Sequence, residues 1–460
     1  MMTEERSIAI VGAGIAGLCS AYWLEQRGHH VEVFEKRSAP GGVIRSGREN
    51  GFLFEAGPNS TLETSEVLKK LVDELDLTDQ RVYANPSASK RYILKNGQLH
   101  AVPTSIKSFI TTNLFSWKAK LRLLREPFIS PTSGDDVSLA DFVQHRLGSE
   151  FLDYAINPFV AGVYAGDPKN LSTAIGFPKL FDLEKKYGSL IKGAIKGARE
   201  RRKRKEVAKN RAKMFSFKNG MQTLTDTLAK NIKGPIQYRS EITSLEKLDQ
   251  NYRLSIDQQG EPRIATFDMV VLTPPAHVIG PLLKEFAPMA TAPLTDVYYP
   301  PVSVVFTAYQ KKDIEQPLDG FGFLIPEKEN REILGTIWNS AIFPNRAPEG
   351  MAALTSFIGG TRQPENARLP ESELIDLVKD ELRSIMGIKG EPVLTKVKKW
   401  EKAIPQYQMG YHKIQELFDN LEEENSGLYF AGNYRRGISV GDTVLSAHET
   451  VERIESLNQI

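Results

Sequence analysis

The 460-residue chain is poor in cysteine and histidine and contains no long apolar run. Its one cysteine, Cys19, excludes an internal disulfide bond and is typical of a reducing compartment. Because the seven histidines are scattered and there is no second cysteine, we expect no metal site. No stretch of eighteen apolar residues occurs, so we expect no transmembrane helix and only peripheral contact with any membrane. The first predicted strand begins at residue 7, too early for a signal peptide, so we expect a cytoplasmic protein, with any membrane association at the inner face of the cell membrane.

Positive and negative charges are almost balanced, since 59 Lys and Arg stand against 57 Asp and Glu. The net charge of +2 gives no strong attraction to polyanions, so we expect no nucleic-acid partner. One segment departs from this balance: residues 199–213 hold nine Lys or Arg and two Glu. We interpret this basic run as a solvated linker, with contact to an anionic membrane surface as the main alternative.

The strongest positive signal is a glycine motif near the start of the sequence. The apolar run 7–11 leads into Gly12, Gly14 and Gly17, spaced as GxGxxG, and a second strand-like run ends at Glu35. Gly12 permits a tight turn, Gly14 lets a pyrophosphate approach the backbone, and Gly17 lets the following helix pack closely on the strand. The N-terminus of that helix would face the phosphates, and Glu35 would accept hydrogen bonds from a ribose. This order of elements predicts a dinucleotide-binding site.

A second glycine signature follows Glu35. The pair Gly41-Gly42 and Ser46 give the pattern E-x5-G-G-x3-S, and residues 51–59 read GFLFEAGPN. This combination resembles the flavoprotein superfamily of amine oxidases, phytoene desaturases and protoporphyrinogen oxidases. The resemblance implies that the cofactor is FAD, with the glycine pair at its diphosphate and the G-P-N segment beside the flavin.

Three further blocks narrow the resemblance. Residues 157–168 read NPFVAGVYAGDP, residues 220–224 read GMQTL, and residues 343–348 read FPNRAP. With the segment GPNS at 57–60, they resemble the oxygen-dependent protoporphyrinogen oxidases over nearly the whole chain. The resemblance implies six-electron oxidation of a porphyrinogen in three rounds, with hydride passing to the flavin N5 and dioxygen giving hydrogen peroxide. In this chemistry no side chain needs to act as a strong base.

The same resemblance implies particular site residues. Arg91 would pair with a substrate propionate, since a guanidinium can hold a carboxylate through two parallel hydrogen bonds. Leu324, Ile337 and Phe357 would sandwich the macrocycle. Asn59 would lie near flavin and macrocycle, where it either accepts or relays a proton or fixes the cofactor loop. The expected cofactor-binding set is Gly12, Ala13, Gly14, Ile15, Ala16, Gly17, Glu35, Lys36, Gly41, Gly42, Gly57, Pro58, Asn59, Ser60, Ile242, Gly432, Asn433, Ile438, Ser439 and Val440.

Length and pattern predict an α/β protein with two or three domains. We predict a Rossmann-like FAD-binding domain that combines residues 5–85, 214–290 and 425–460. An α+β substrate domain with an antiparallel sheet is predicted from 86–104 and 295–415. Residues 105–213 are predicted to form an inserted helical domain, which is the part that would contact a membrane.

Protoporphyrinogen is the substrate that the plant-like blocks favour, and coproporphyrinogen is the alternative, with four propionates in place of two. A carotenoid desaturase or an amine oxidase of the same superfamily is a more remote alternative. A non-catalytic module that binds FAD or porphyrin belongs to a different functional class. A ferrochelatase and a second copy of the chain are the protein partners that the family resemblance suggests.

Overall fold

The computed structural model describes residues 5–132, 134–204 and 212–457 of the chain. The strands are β1 Ser7–Val11, β2 His30–Glu35, β3 Ser46–Glu49, β4 Phe52–Glu55, β5 Thr61–Leu62, β6 Arg81–Tyr83, β7 Lys90–Lys95, β8 Gln98–Ala101, β9 Met214–Phe217, β10 Ile236–Tyr238, β11 Ser240–Lys247, β12 Tyr252–Gln258, β13 Glu261–Phe267, β14 Met269–Leu272, β15 Val302–Gln310, β16 Gly320–Leu324, β17 Ile333–Ile337, β18 Met351–Gly359, β19 Leu394–Trp400 and β20 Leu428–Phe430. The helices are α1 Ile15–Gln26, α2 Glu66–Glu74, α3 Ile106–Thr111, α4 Trp117–Leu123, α5 Leu139–Arg146, α6 Ser149–Phe151, α7 Asn157–Tyr164, α8 Thr173–Gly176, α9 Pro178–Tyr187, α10 Leu190–Arg204, α11 Gln222–Asn231, α12 Ala276–Leu282, α13 Pro288–Thr295, α14 Asn339–Ile342, α15 Glu371–Met386, α16 Tyr411–Glu424 and α17 Val440–Leu457.

A five-stranded parallel sheet joins the two ends of the chain. Its order is β10-β2-β1-β14-β20, so a strand near residue 430 pairs with one that ends at Leu272. Strands β14 and β20, and β1 after Ser7, are continuously apolar because both faces of the sheet are covered. Helices α1, α2, α11 and α17 pack on one face, and the three-stranded sheet β11-β12-β13 packs with α12, α13 and α16 on the other.

The second large sheet has seven strands, in the order β19-β15-β18-β17-β16-β7-β8. Neighbouring strands are antiparallel except for β7 and β16, which are parallel. The expected all-antiparallel sheet therefore holds for every pair but this one. The exception arises because the β7–β8 hairpin comes from a distant part of the chain and joins the sheet edge through β7. Helix α15 covers one face, where Leu374, Val378 and Leu382 are fully buried.

A helical insert, α3 to α10, follows the β7–β8 hairpin. Its centre is polar: the Arg146 guanidinium is fully buried between Glu126 and Glu184, with Nε 2.6 Å from Glu184 Oε1. The Glu126 carboxylate also accepts a hydrogen bond from the backbone N–H of Leu190, 2.8 Å away, at the start of α10. The insert is therefore organised around buried ion pairs as well as an apolar cluster. Of the basic run, residues 205–211 lie outside the described part of the chain.

The structure confirms the predicted fold class, with a Rossmann-like parallel sheet, a mostly antiparallel second sheet and a helical insert. The exact domain bounds stay predictions. In the described ranges, no helix is long and apolar enough to cross a membrane. Cys19 is fully buried within α1, and burial raises the pKa of its thiol well above the usual value.

Candidate functional site

The carboxyl ends of four parallel strands meet at one edge of the five-stranded sheet. β2 ends at Glu35, β1 is followed by Gly12, β14 by Thr273, and β20 by Ala431 and Gly432. With about 4.8 Å between strands, this edge is roughly 14 Å wide from Glu35 to Gly432. Ligands of such sheets bind outside the carboxyl ends of the strands. The sheet thus brings the predicted cofactor residues from both chain ends to one line.

The three glycines of the first motif have three different surroundings. Gly12 has φ +99°, a turn conformation that L side chains rarely adopt. A Cβ on Gly17 would collide with the carbonyl oxygen of Gly12, so this glycine is needed for close helix–strand packing. A Cβ on Gly14 would meet no described atom within 4 Å. The side of the motif at Gly14 is therefore open, as the approach of a pyrophosphate requires.

The start of α1 offers free hydrogen-bond donors. Gly14 is its N-cap, and among the described residues no side chain caps it. The first N–H groups of a helix have no intrahelical acceptor, and the helix dipole adds positive potential there. Ile15 and Ala16 lie in this first turn with their side chains in the core. The uncapped donors and the open side at Gly14 have the chemistry that a diphosphate requires.

Glu35 is held in place by two backbone N–H groups. Its Oε2 accepts from Ala13 at 2.8 Å and its Oε1 from Arg37 at 2.8 Å. The carboxylate keeps further lone pairs for ribose hydroxyls. The next residue, Lys36, pairs with Glu241 at 2.7 Å on the surface. Ile242 follows Glu241 in β11, with its side chain in the core cluster that also holds Phe34.

The second glycine pair packs directly on the first motif. Gly41 N–H donates to Ala13 O at 2.8 Å, and a Cβ on Gly42 would lie 3.2 Å from Gly14 Cα. A Cβ on Gly57 would collide with the carbonyl oxygen of Val43. Residues 41–42 and 57–60 are therefore stacked beside the N-terminus of α1, with Pro58 and Ser60 half-buried.

The C-terminal segment is fixed by side chains at both ends. Gly432 N–H donates to Ser446 Oγ at 3.1 Å, and Tyr407 donates its hydroxyl hydrogen to Asn433 O. Burial raises the pKa of Tyr407 well above its usual value, so the hydroxyl stays a donor. Ser439 caps α17 by accepting from Asp442 N–H at 3.1 Å. Ile438 packs against one core cluster and Val440 is buried in the other.

A buried ion pair links the cofactor segments to the second half of the chain. Glu55 and Arg346, each 1% exposed, lie 2.9 Å apart. Glu55 also accepts from Met221 N–H at 2.9 Å and from Ser46 Oγ at 2.5 Å. Burial raises the pKa of Glu55 and lowers that of Arg346, while their mutual attraction opposes both shifts. Sequence reasoning missed this pair, although both residues lie inside the GFLFEAGPN and FPNRAP blocks.

The four predicted substrate residues other than Asn59 share one face of the seven-stranded sheet. One row across the strands runs from Arg91 through Gly322 and Ile337 to Thr355, and the next from Ile93 through Leu324 and Gly335 to Phe357. Directly paired residues, and residues two apart on a strand, point to the same side. Two of these eight positions are glycine, so the face has a flat centre.

The helical insert lies over this face. A Cβ on Gly162 of α7 would collide with Leu324, and Phe115 and Phe151 pack around Ile93. Most residues of the sheet are buried, but the three apolar residues that we assigned to the macrocycle are only half-buried. These three are Leu324, Ile337 and Phe357. Arg91 is exposed near the start of β7, the second strand from the sheet edge, with its guanidinium 5.3 Å from the centre of the Phe321 ring.

Asn59 connects the cofactor loop to this sheet. Its Oδ1 accepts from Asn339 Nδ2 at 2.6 Å, and Asn339 Oδ1 accepts from Thr355 Oγ1 at 2.8 Å. Thr355 belongs to the same row as Ile337 and Arg91. Two hydrogen bonds thus join the predicted cofactor loop, through Asn339, to a residue in the row of Arg91 and Ile337.

A cavity of about 920 Å³ opens elsewhere on the protein. It is lined by residues 83–86, 213–214, 340–341 and 347–351 with Lys311 and Pro344, and it includes none of the predicted site residues. In the described part of the chain, no group of three or more His, Cys, Asp or Glu is arranged to hold a metal ion.

Comparison with known proteins is consistent with this geometry. Residues 15–455 match the family described as flavin containing amine oxidoreductase. Protoporphyrinogen oxidase 2 of Arabidopsis thaliana is 35% identical, with 98% of this chain and 94% of the relative aligned. Coproporphyrinogen III oxidase of Bacillus subtilis (strain 168) is 29% identical over 96% and 97% of the two chains. A crystal structure from Exiguobacterium sp. 255-15, provisionally assigned as a protoporphyrinogen oxidase, superposes with TM-score 0.83 at 24% identity over 99% of this chain and 100% of that chain. The family and the relatives imply that the cofactor is FAD.

Proposed function

Because this chain belongs to the flavin containing amine oxidoreductase family, we propose that it oxidises protoporphyrinogen to protoporphyrin with dioxygen. The observation that carries this proposal is the half-buried sheet face, which is flat at two glycines, apolar along its length and cationic at one end. Such a face suits a large planar ring with carboxylate side chains. When bound, FAD supplies the two-electron acceptor for each dehydrogenation and passes the electrons to dioxygen, which gives hydrogen peroxide.

Arg91 has the position and chemistry to anchor the substrate. It lies at the open edge of the face, and a guanidinium can take a propionate in a bidentate pair. Leu324 and Phe357 occupy the inner row, and Ile337 occupies the row of Arg91. These side chains would exclude water from the ring and hold its reacting carbon against the cofactor loop.

The number of cations favours the substrate with fewer carboxylates. In the two rows across β7, β16, β17 and β18, Arg91 is the only cationic residue. Two propionates need fewer cations than four. The higher identity to the relative named protoporphyrinogen oxidase points the same way.

The experiment is a paired measurement of kcat/KM for protoporphyrinogen and coproporphyrinogen with the purified, FAD-loaded protein under air. We expect the first value to be the larger, with one hydrogen peroxide formed for each two electrons removed. A clear preference for coproporphyrinogen would assign the alternative substrate. A flavin that neither compound bleaches without oxygen would refute porphyrinogen oxidation altogether.

We further propose that the helical insert docks the protein peripherally on the cytoplasmic face of an anionic membrane. Trp117 and Leu121 of α4 and Leu124, which directly follows it, have helical spacing and are 64%, 60% and 69% exposed. Phe128 is 87% exposed, and the Lys192 ammonium lies 5.8 Å from its ring centre. Apolar side chains flanked by cations are typical of helices that lie in a lipid interface.

Co-sedimentation with vesicles tests this docking. Vesicles with 30% phosphatidylserine in phosphatidylcholine should retain the protein, and the triple substitution of Trp117, Leu121 and Leu124 by glutamine should release it. Pure phosphatidylcholine should bind less, since the cations contribute. Equal binding of the variant and the wild type would refute the role of α4.

A further inference from the structure

Three buried side chains form a hydrogen-bonded relay between the sheet face and the cofactor loop. Thr355 is 0%, Asn339 is 2% and Asn59 is 9% exposed. Thr355 Oγ1 donates to Asn339 Oδ1 at 2.8 Å, and Asn339 Nδ2 donates to Asn59 Oδ1 at 2.6 Å. Asn59 Nδ2 in turn lies 3.3 Å from Gly57 O, to which it donates.

The two ends of the relay set its direction. Gly57 O is a carbonyl oxygen and can only accept, so the side of the Asn59 amide that faces it must be the NH2 group. At the other end, the Thr355 hydroxyl supplies a donor to Asn339. If the amides were reversed, Asn59 Oδ1 would face Gly57 O with two lone-pair regions opposed.

Asn59 is therefore held with its carbonyl oxygen bonded to Asn339 and with one hydrogen of its NH2 group bonded to Gly57 O. The second hydrogen of Asn59 Nδ2 has no partner among the described residues. The backbone carbonyl of Asn59 also contacts Arg346 Nη2, at 3.5 Å. The side chain is thus positioned as a hydrogen-bond donor and not as a proton acceptor.

The relay also lies at a useful distance from the substrate anchor. Thr355 is three strands from Arg91 in the same row, which corresponds to about 14 Å. A substrate whose carboxylate is held by Arg91 would extend along the row toward Thr355 and Asn59. This placement rests on the proposed function.

We propose that Asn339 and Thr355 are positioning residues, which hold Asn59 as an N–H donor toward the reacting part of the substrate and the flavin. Asn339 lies in the four-residue helix α14, just before the FPNRAP block that contains Arg346. The same short segment thus fixes the cofactor loop twice, once through the Arg346 ion pair and once through the relay. Neither Asn339 nor Thr355 needs to touch the substrate for this role.

The decisive variant is Asn339→Asp, which reverses the polarity of the relay without changing its shape. Both oxygens of the new carboxylate accept, so Thr355 keeps its partner, and Asn59 can donate to residue 339 only by turning its NH2 group away from Gly57 O. Asn59 then presents its carbonyl oxygen where it presented the amide. Thr355→Val removes the terminal donor, and Thr355→Ser retains it.

Ser356→Ala is the matched control. Ser356 is the neighbouring residue on β18, is fully buried, and bonds to Thr336 Oγ1 at 2.9 Å on the opposite face of the sheet. Its loss removes one buried hydroxyl from the same strand without touching the relay. Any general effect of a polar deletion in β18 should therefore appear in this variant as well.

We expect Asn339→Asp and Thr355→Val to lower kcat by about ten- to hundredfold with little change in KM. Thr355→Ser should restore most of the activity, and Ser356→Ala should stay near the wild type. A readout independent of turnover is the visible absorption spectrum of the oxidised, FAD-loaded protein, whose maxima should shift in Asn339→Asp but not in Ser356→Ala.

If Asn339→Asp and Thr355→Val matched Ser356→Ala in both rate and spectrum, the relay would be structural only and the inference would be wrong. If the wild type oxidised no porphyrinogen, the proposed function would fail, and the spectrum alone would decide whether the relay orients Asn59. The two failures are therefore distinguishable.

Discussion

Replacing Arg346 with methionine should destabilise the folded protein by about 3–5 kcal/mol at pH 8, because it leaves a buried carboxylate without its counter-charge. Arg346 and Glu55 are each 1% exposed. The guanidinium contacts Glu55 at 2.9 Å, Ser216 Oγ at 2.5 Å and Asn59 O at 3.5 Å. After the substitution, Ser46 and Met221 remain the partners of Glu55. Two neutral donors compensate a buried charge only in part.

The loss of folding stability in Arg346→Met should increase as the pH rises. Burial already raises the pKa of Glu55 above its usual value of 4.5, and Arg346 opposes that rise. Without Arg346 the pKa of the folded state must increase further, so the folded variant binds a proton more readily than the unfolded chain. The variant is then most stable below the unfolded pKa and loses stability as pH rises through the raised folded pKa. The difference between wild type and variant should therefore grow from pH 5 to pH 8.

Urea unfolding, followed by the release of flavin fluorescence, measures this loss. The double variant Glu55→Gln, Arg346→Met should be more stable than Arg346→Met alone, since it contains no uncompensated charge. Arg48→Met is the control, because the Arg48 guanidinium makes exposed hydrogen bonds, to Lys218 O at 3.3 Å and to Asn219 Oδ1 at 3.4 Å. A loss below about 1 kcal/mol for Arg346→Met, independent of pH, would refute the reasoning.

Three further outcomes are expected. Arg91→Ala should raise KM for the porphyrinogen about ten- to hundredfold with a smaller change in kcat, whereas Lys90→Ala, which breaks the exposed pair with Asp319, should do neither. Gly14→Val should fold as the apoprotein but retain no flavin after desalting, because its side chain enters the open side of the motif, and flavin retained at the wild-type level would contradict that. Burial and nearby Lys402 lower the pKa of His277 to about 4, so lowering pH from 6.5 to 4 should decrease the melting temperature of the wild type more than that of His277→Gln.

The strand, glycine turn and helix that carry the proposed cofactor residues were predictable because their signals are local. Gly12, Gly14 and Gly17 lie within six residues of one another, and the strand runs on either side have a simple apolar pattern. The sequence pattern also predicts a strand over residues 302–309, and the structure has one at Val302–Gln310. In contrast, the pattern of residues 236–258 predicts strand without a marked break, and the structure divides this stretch into β10, β11 and β12. The left-handed Arg239 marks the first break, which composition alone does not reveal.

The pairing of strands and the buried contacts were not predictable from local pattern. The parallel pairing of β7 with β16 joins residues more than 220 positions apart. The pair Glu55–Arg346 spans 291 positions, and the contact between Asn59 and Asn339 spans 280. The only available signal was a charged or amide residue inside an otherwise apolar block. Such a residue indicates that it has a buried hydrogen-bonding or charged partner, but it does not show which residue that partner is.

The register of the strands in the seven-stranded sheet brings residues from distant parts of the chain next to one another. Arg91, Gly322, Ile337 and Thr355 come from four strands, and one row aligns them. A slip of one residue in β17 would turn Ile337 to the face covered by α15. It would place Thr336 on the opposite face, beside Arg91 and Phe357. The residue that follows this strand, Trp338, is fully buried and leads directly into Asn339. Its bulk opposes such a slip. The same register therefore sets the length of the apolar face and the place at which the relay reaches Asn59, so backbone pairing determines the distance between Arg91, the proposed substrate anchor, and Thr355 of the relay.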